Sequence, residues 1–242
     1  MARRSILFVF AHPDDESHWG SGVAARYHDE GARTILITAT RGERGTTGGL
    51  CSIEELPGVR EQELREAAAI LRFDELEILP YEDKELPNAP PDEIRRALVA
   101  TLRRERPDVV VTFDPNGINL HADHLAISRF ATDALAAAAD PRWFPELGPP
   151  HRVTRLLWTP PVMPWDDGEF APRPGVDFLI DTSRCWQQRA RALAAHRTQR
   201  AILEKLYLKR PDVEQLLSID VLRQAWGPAL GDRPERDVFA GM

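Results

Sequence analysis

The feature that most constrains this chain is the alternation of short apolar, β-branched runs with longer amphipathic segments. Residues 5–11, 33–40, 77–79, 108–113, 153–158 and 176–180 read as strands, several of them apolar at consecutive positions as strands covered on both faces are. Helical patterns fill the gaps over about 20–30, 59–71, 92–105 and 124–138, the third entered through Pro90-Pro91. Strand and helix in regular succession build βαβ units. The expected fold is therefore α/β: a Rossmann-like, doubly wound, mostly parallel sheet with helices on both faces. From Ser183 the chain reads helical to about Lys209 and again over 213–226, which predicts a helical C-terminal segment. No repeat or low-complexity linker divides the sequence. One domain over 1–242 is expected, with a core at about 5–200 and a helical extension at 201–242.

The bulk numbers bound the function. A chain of 242 residues that is 43% hydrophobic can bury a full core without staples. Lys and Arg number 31 against 38 Asp and Glu, a net charge of 31 − 38 = −7, which opposes the basic footprint that nucleic-acid binding needs. Cys51 and Cys185 stand far apart in dissimilar surroundings and define no disulfide framework or metal knuckle. The start, Met1-Ala2-Arg3-Arg4 before an apolar run, imitates a signal peptide, but the run stops at His12, too short for a secretory core or a membrane span. It reads as a buried first strand, and the expected location is cytoplasmic.

Two clusters of ionisable residues stand out. His12-Pro13-Asp14-Asp15-Glu16 directly follows the first strand, and His121-Ala122-Asp123-His124 follows the fourth through Asp114–Leu120. Both fall on the carboxyl edge of the sheet, where ligands collect in open α/β folds. If strands one and four are neighbours, the clusters face each other. One imidazole and one carboxylate from the first loop with one imidazole from the second would give a His₂Asp set with open positions, the pattern of a catalytic metal. Of the adjacent pair Asp14 and Asp15, one can ligate and the other act as base. The second cluster leaves one imidazole to meet a developing oxyanion, with Asp123 available to orient it. Taken singly, each cluster also reads as a turn, with Asp123 as a helix cap.

The two clusters together resemble the zinc-dependent N-acetylglucosaminyl deacetylase family called LmbE-like or PIG-L-like, over about residues 5–200. The resemblance implies an N-deacetylase acting on an acetylated amino sugar or its conjugate, with Zn²⁺ as cofactor. It implies His12, Asp15 and His124 as zinc ligands, Asp14 as general base, and His121 as oxyanion stabiliser with Asp123 hydrogen-bonded behind it. Arg41-Gly42-Glu43, Arg60-Glu61-Gln62-Glu63-Leu64 and Asp83 match further family elements, and in relatives the residues matching Arg60 and Asp83 contact sugar hydroxyls. His196-Arg197-Thr198-Gln199 also resembles a family element, with no role implied. Ala122 stands where the family usually has Pro, and Asn119 where some relatives place a tyrosine that assists the carbonyl oxygen; the Asn119 amide can donate there instead.

Other readings compete. Gly20-Ser21-Gly22-Val23-Ala24-Ala25 spells a dinucleotide fingerprint, but residues 12–19 separate it from the strand, and close helix packing explains the small residues better. A nicotinamide-binding protein, a non-haem iron facial triad and a non-catalytic metal- and sugar-binding module are the alternatives. The Gly-rich stretch 42–49 lacks a P-loop ending and reads as a rim loop. His18 and Trp19 either line the pocket or pack a helix face, Trp165 in a Pro-rich insertion is a candidate cover, and the basic run 184–200 reads as a solvated helix face or an oligomer contact.

Overall fold

The first strand, β1 (Ser5–Phe10), is buried at every position, and strands of that kind occupy the centre of a covered sheet. The computed structural model describes residues 3–159, 175–231 and 233–242, so Trp165 and most of the Pro-rich insertion lie outside the described residues. The other strands are β2 (Arg33–Thr40), β3 (Glu75–Tyr81), β4 (Val109–Phe113), β5 (Arg155–Thr159), β6 (Phe178–Asp181) and β7 (Ile219–Trp226). They form one seven-stranded sheet in the order β3-β2-β1-β4-β5-β7-β6. The first five are parallel, and β7 runs antiparallel to both β5 and β6.

The helices are α1 (Asp15–His18), α2 (Ser21–Asp29), α3 (Leu56–Leu71), α4 (Pro91–Glu105), α5 (Gly117–Leu120), α6 (Ala122–Ala139), α7 (Trp186–Ala195), α8 (Arg200–Leu203) and α9 (Val213–Leu217). The chain winds from β1 outward to β3, returns to β4 on the other side of β1, and continues to β5. β1 pairs with β4 through Ile6↔Val109, Leu7↔Val110 and Phe8↔Val111. The winding direction therefore reverses between the two strands that carry the ionisable clusters, and that reversal opens a crevice at their carboxyl ends.

Two C-terminal expectations need correction. Of the helix expected over 213–226, only Val213–Leu217 is helical; Ile219–Trp226 is a strand. From Ile219 the burial alternates, with Asp220 and Leu222 buried and Ile219, Val221 and Arg223 more open, and the free edges of β5 and β6 decide for the strand. The helix expected from Ser183 to Lys209 is divided into α7, α8 and a π-helical turn, Glu204–Leu208. Nor is the basic run 184–200 a uniformly solvated face. Arg189 is 3% exposed and pairs with Asp220 at 2.6 Å.

The glycine pattern before α2 has a packing explanation. A Cβ on Gly22 would stand 2.6 Å from Thr182 Cγ2 and 2.8 Å from Asp220 Oδ2, so α2 approaches the β6–β7 end of the sheet at backbone distance. Among the described residues no helix is long and apolar enough to cross a membrane.

Candidate metal centre and its cleft

The loop after β1 is built around two carboxylates that serve its backbone. Asp15 Oδ2 accepts the amides of His12 at 2.7 Å and Ala11 at 3.2 Å, which folds the loop back on the strand end. Asp14 takes φ 112°, a left-handed conformation costly for any residue with a Cβ and concentrated at functional sites. Its amide donates to Glu16 Oε2 at 3.0 Å. Glu16 is itself buried, accepting from the Ser17 hydroxyl at 2.5 Å and lying 2.7 Å from His196 Nε2. That pair ties the first motif to the His196–Gln199 element, whose Thr198 donates to Glu63 through its amide at 2.9 Å and its hydroxyl at 2.6 Å.

The loop after β4 is equally constrained. Asp114 Oδ1 accepts the amides of Asn116 and Ile118, both at 3.2 Å, and the chain then passes through positive φ at Gly117, Ile118 and Leu120. Glycine is required at 117, because a Cβ there would lie 2.8 Å from the Leu125 amide nitrogen and 2.9 Å from His124 Cβ. This close approach brings the Gly117 carbonyl to 3.2 Å from His124 Nδ1, while the His124 ring stacks on Phe113 at 4.0 Å and 10°.

The two loops meet at three groups. His12 Nδ1 and His124 Nε2 are 3.3 Å apart, His124 Nε2 is 3.3 Å from Asp15 Oδ1, and His12 Nδ1 is 3.5 Å from Asp15 Oδ2. The far nitrogens are held by acceptors: His12 Nε2 by Asp123 Oδ2 at 2.9 Å and Asp83 Oδ1 at 3.2 Å, and His124 Nδ1 by the Gly117 carbonyl. With the ring protons on those far nitrogens, as neutral imidazoles would carry them, two lone pairs and a carboxylate point at one another. Neutral imidazoles would be left there with acceptors facing acceptors, an arrangement a shared cation resolves. A tetrahedral metal with ligand bonds of ~2.0–2.1 Å has ligand–ligand edges of ~3.3 Å, matching the His12 Nδ1–His124 Nε2 and His124 Nε2–Asp15 Oδ1 separations. Two triples converge within 4.8 Å, His12–His121–His124 and His12–Asp83–Asp123, and His12 is common to both. In those triples His121 Nδ1 already accepts the Asp123 amide, and both Asp123 oxygens already accept backbone amides.

The electrostatics follow from this convergence. Burial opposes charge on His12, but hydrogen bonds to Asp123, Asp15 and Asp83 outweigh it and hold the imidazole well above its ordinary pKa. Burial likewise opposes ionisation of Asp15, and His124 and His12 outweigh it, holding the carboxyl low. His121 is pushed down by burial and by His12 and His124 beside it.

Asp14, His121, Arg60, Asp83 and Asn119 border one cleft of about 420 Å³, and Asp123 lies beneath it. Asp123 was expected behind His121; instead its carboxylate backs His12 and accepts the amides of Lys84 at 2.6 Å and Leu86 at 3.2 Å. It is fully buried under the loop after β3, and only its backbone amide reaches His121, at 3.2 Å from Nδ1. Arg60 is buried too, donating to the Gly42 carbonyl at 3.0 Å and to the Pro13 carbonyl, with Asp14 Oδ2 3.4 Å away. Asp83 accepts the Arg44 amide at 3.0 Å, and exposed Asn119 accepts the His121 amide at 3.2 Å. His18 and Trp19 line the cleft as well. Sequence reading missed Arg44, Lys84, Ile202, Leu206 and Tyr207 in its walls. The last three stand far along the chain in a helical segment with no local chemical signature.

Comparison with known proteins agrees with this geometry. The family profile described as PIG-L, GlcNAc-PI de-N-acetylase, matches residues 7–135. The 1D-myo-inositol 2-acetamido-2-deoxy-alpha-D-glucopyranoside deacetylase of Rhodococcus opacus is 32% identical, covering 100% of this chain and 99% of that protein. Among solved structures, a conserved protein of Thermus thermophilus superposes with a TM-score of 0.72 at 30% identity, over 93% of this chain and 96% of that one. The N,N'-diacetylchitobiose deacetylase of Pyrococcus horikoshii has the same fold, with a TM-score of 0.72 at 22% identity, covering 91% of this chain and 83% of that chain. A motif at each of two adjacent strand ends, His and Asp side chains converging on His12, and similarity along the whole chain together establish that the chain belongs to the PIG-L, or LmbE-like, family of metal-dependent de-N-acetylases.

Proposed function

We propose that this chain hydrolyses the acetamide of an N-acetylated glucosamine conjugate as a single α/β domain, with His12, Asp15 and His124 holding a zinc ion and Asp14 acting as general base. The observation that carries the reading is the approach of His12 Nδ1 and His124 Nε2 to 3.3 Å, with the two Asp15 oxygens within 3.3–3.5 Å of them and two carboxylates behind His12. A zinc ion held there would supply Lewis acidity and a water that loses its proton near neutral pH. Asp14, half-buried at the mouth of the cleft beside Arg60, takes the proton of the attacking water. His121 has its Nδ1 engaged by the Asp123 amide, so its proton lies on Nε2, free to donate to the oxygen that gains charge as the carbonyl becomes tetrahedral. The proton collected by Asp14 returns to the amine nitrogen as the C–N bond breaks. Arg60 and Asp83 contact the sugar hydroxyls, and the Asn119 amide binds the substrate at its carbonyl oxygen. The two free cysteines, one of them buried, accord with a reducing, cytoplasmic location.

Acetate release from N-acetylglucosaminides by metal-loaded protein tests the assignment. Asp14→Asn is expected to lower kcat by about 10²–10⁴, the usual yield of general-base catalysis, with metal content unchanged. His121→Ala should cost about 10²–10³. Equal rates for wild type and Asp14→Asn would remove Asp14 from the mechanism.

A further inference from the structure

One wall of the cleft is unlike the rest. Trp19 and Ile118, from the two motif-bearing loops, and Ile202, Leu206 and Tyr207, from the helical segment after α7, line its apolar part. That segment passes from α-helix at Arg200–Leu203 into a π-helical turn at Glu204–Leu208, and positions 202, 206 and 207, spaced i, i+4 and i+5, fall on one side of a helix. Ile202 is 43% exposed, a large apolar side chain left open at the rim. Ile118 holds φ 67°, a conformation a β-branched residue adopts only under constraint, and here it places an apolar side chain in the wall. The Tyr207 hydroxyl lies 3.2 Å from His18 Nδ1.

Three polar side chains at the same rim hold contacts within the protein. Gln199 Nε2 donates to the Thr46 carbonyl at 2.9 Å and to Thr198 Oγ1 at 3.1 Å. Lys84 Nζ donates to the Arg44 carbonyl at 2.8 Å, and the Arg44 guanidinium pairs with Glu85 at 2.7 Å and Glu82 at 2.9 Å. An apolar group would cover surface that is open.

We infer that this wall is the subsite for an apolar aglycone, aryl or alkyl, carried by the amino sugar; the inference rests on the deacetylase reading and names its substrate class. Each methylene covered is worth about fourfold in binding, so covering two gives about fifteenfold. The test compares kcat/KM for acetate release from N-acetylglucosamine, its inositol conjugate and its octyl β-glycoside, in wild type and Ile202→Ser. Calorimetric binding of submicellar octyl β-glucoside, which has no acetamide to cleave, is measured on the same proteins. The octyl glycoside should exceed both polar substrates by at least about fifteenfold, and Ile202→Ser should shrink that ratio and weaken octyl β-glucoside binding about fourfold. Comparable kcat/KM on all three substrates, or preference for the inositol conjugate, would overturn the subsite and leave the deacetylase standing. Octyl β-glucoside binding that weakens in Ile202→Ser, with no acetate released from any substrate, would uphold the apolar subsite and overturn the deacetylase.

Discussion

Replacing Asp123 by Asn isolates the support behind the metal centre. The Asp123 carboxylate accepts three hydrogen bonds: Oδ2 takes the Lys84 amide at 2.6 Å and lies 2.9 Å from His12 Nε2, and Oδ1 takes the Leu86 amide at 3.2 Å. An amide has one acceptor oxygen. If that oxygen keeps His12 and Lys84, the Leu86 amide faces an NH₂ and loses its partner in a buried place, costing about 1–3 kcal/mol of stability. The lost charge also makes His12 a weaker ligand, and such replacements lower metal affinity about 10–100-fold, or about 1.4–2.7 kcal/mol. Asp83 remains 3.2 Å from His12 Nε2, so Asp123→Asn should fall near the tenfold end and Asp83→Asn/Asp123→Asn near the hundredfold end. Competition against a chromogenic chelator reads the affinity directly. A dissociation constant for the double variant within twofold of wild type would refute the idea that these carboxylates fix His12 for a metal.

Two further outcomes concern the frame around the site. The buried Glu16–His196 pair should contribute strongly, because removing one partner strands a buried charge; His196→Gln is expected to cost about 3–5 kcal/mol in urea denaturation. Glu16 holds His196 above its ordinary 6.5 against burial, a contribution complete below pH 6.5 and lost as pH rises through the raised folded value. His196 holds Glu16 below 4.5 against burial, a contribution present above that pH and lost as pH falls through the lowered value. The wild-type advantage over His196→Gln should therefore peak between about pH 4.5 and 6.5, and an advantage that does not vary from pH 4 to 9 would contradict the pairing. Gly22→Ala should cost about 1–3 kcal/mol through its contact with Thr182, lowering Tm by about 2–4 °C per kcal/mol in a chain of this size.

Much of this architecture was legible in the sequence because local pattern and global fold agree there. β1 and β4 are largely consecutive apolar runs, and their carboxyl ends carry the His-Pro-Asp-Asp and His-Ala-Asp-His motifs that a parallel sheet brings together. Where the reading failed, a distant partner decides. Ile219–Trp226 carries enough apolar residues for either a helix or a strand, and only the edges of β5 and β6 choose. Asp123 lies two residues from His121 in sequence, yet its side chain points to His12, because the Lys84 and Leu86 amides supplied by the loop after β3 draw it there. Arg189 reads as a surface cation in a basic run until Asp220, on β7, comes to 2.6 Å. Ile202, Leu206 and Tyr207 reach the cleft only through the turn that ends α7.

The central claim is that His12, Asp15 and His124 hold one metal ion on which amide hydrolysis depends. Adding zinc to chelator-stripped protein while following acetate release from an N-acetylglucosaminide tests it most directly. The rate should rise linearly and reach its plateau at one equivalent per chain, and His124→Ala should abolish both binding and turnover. Undiminished acetate release from the stripped protein, or from His124→Ala, would contradict the account.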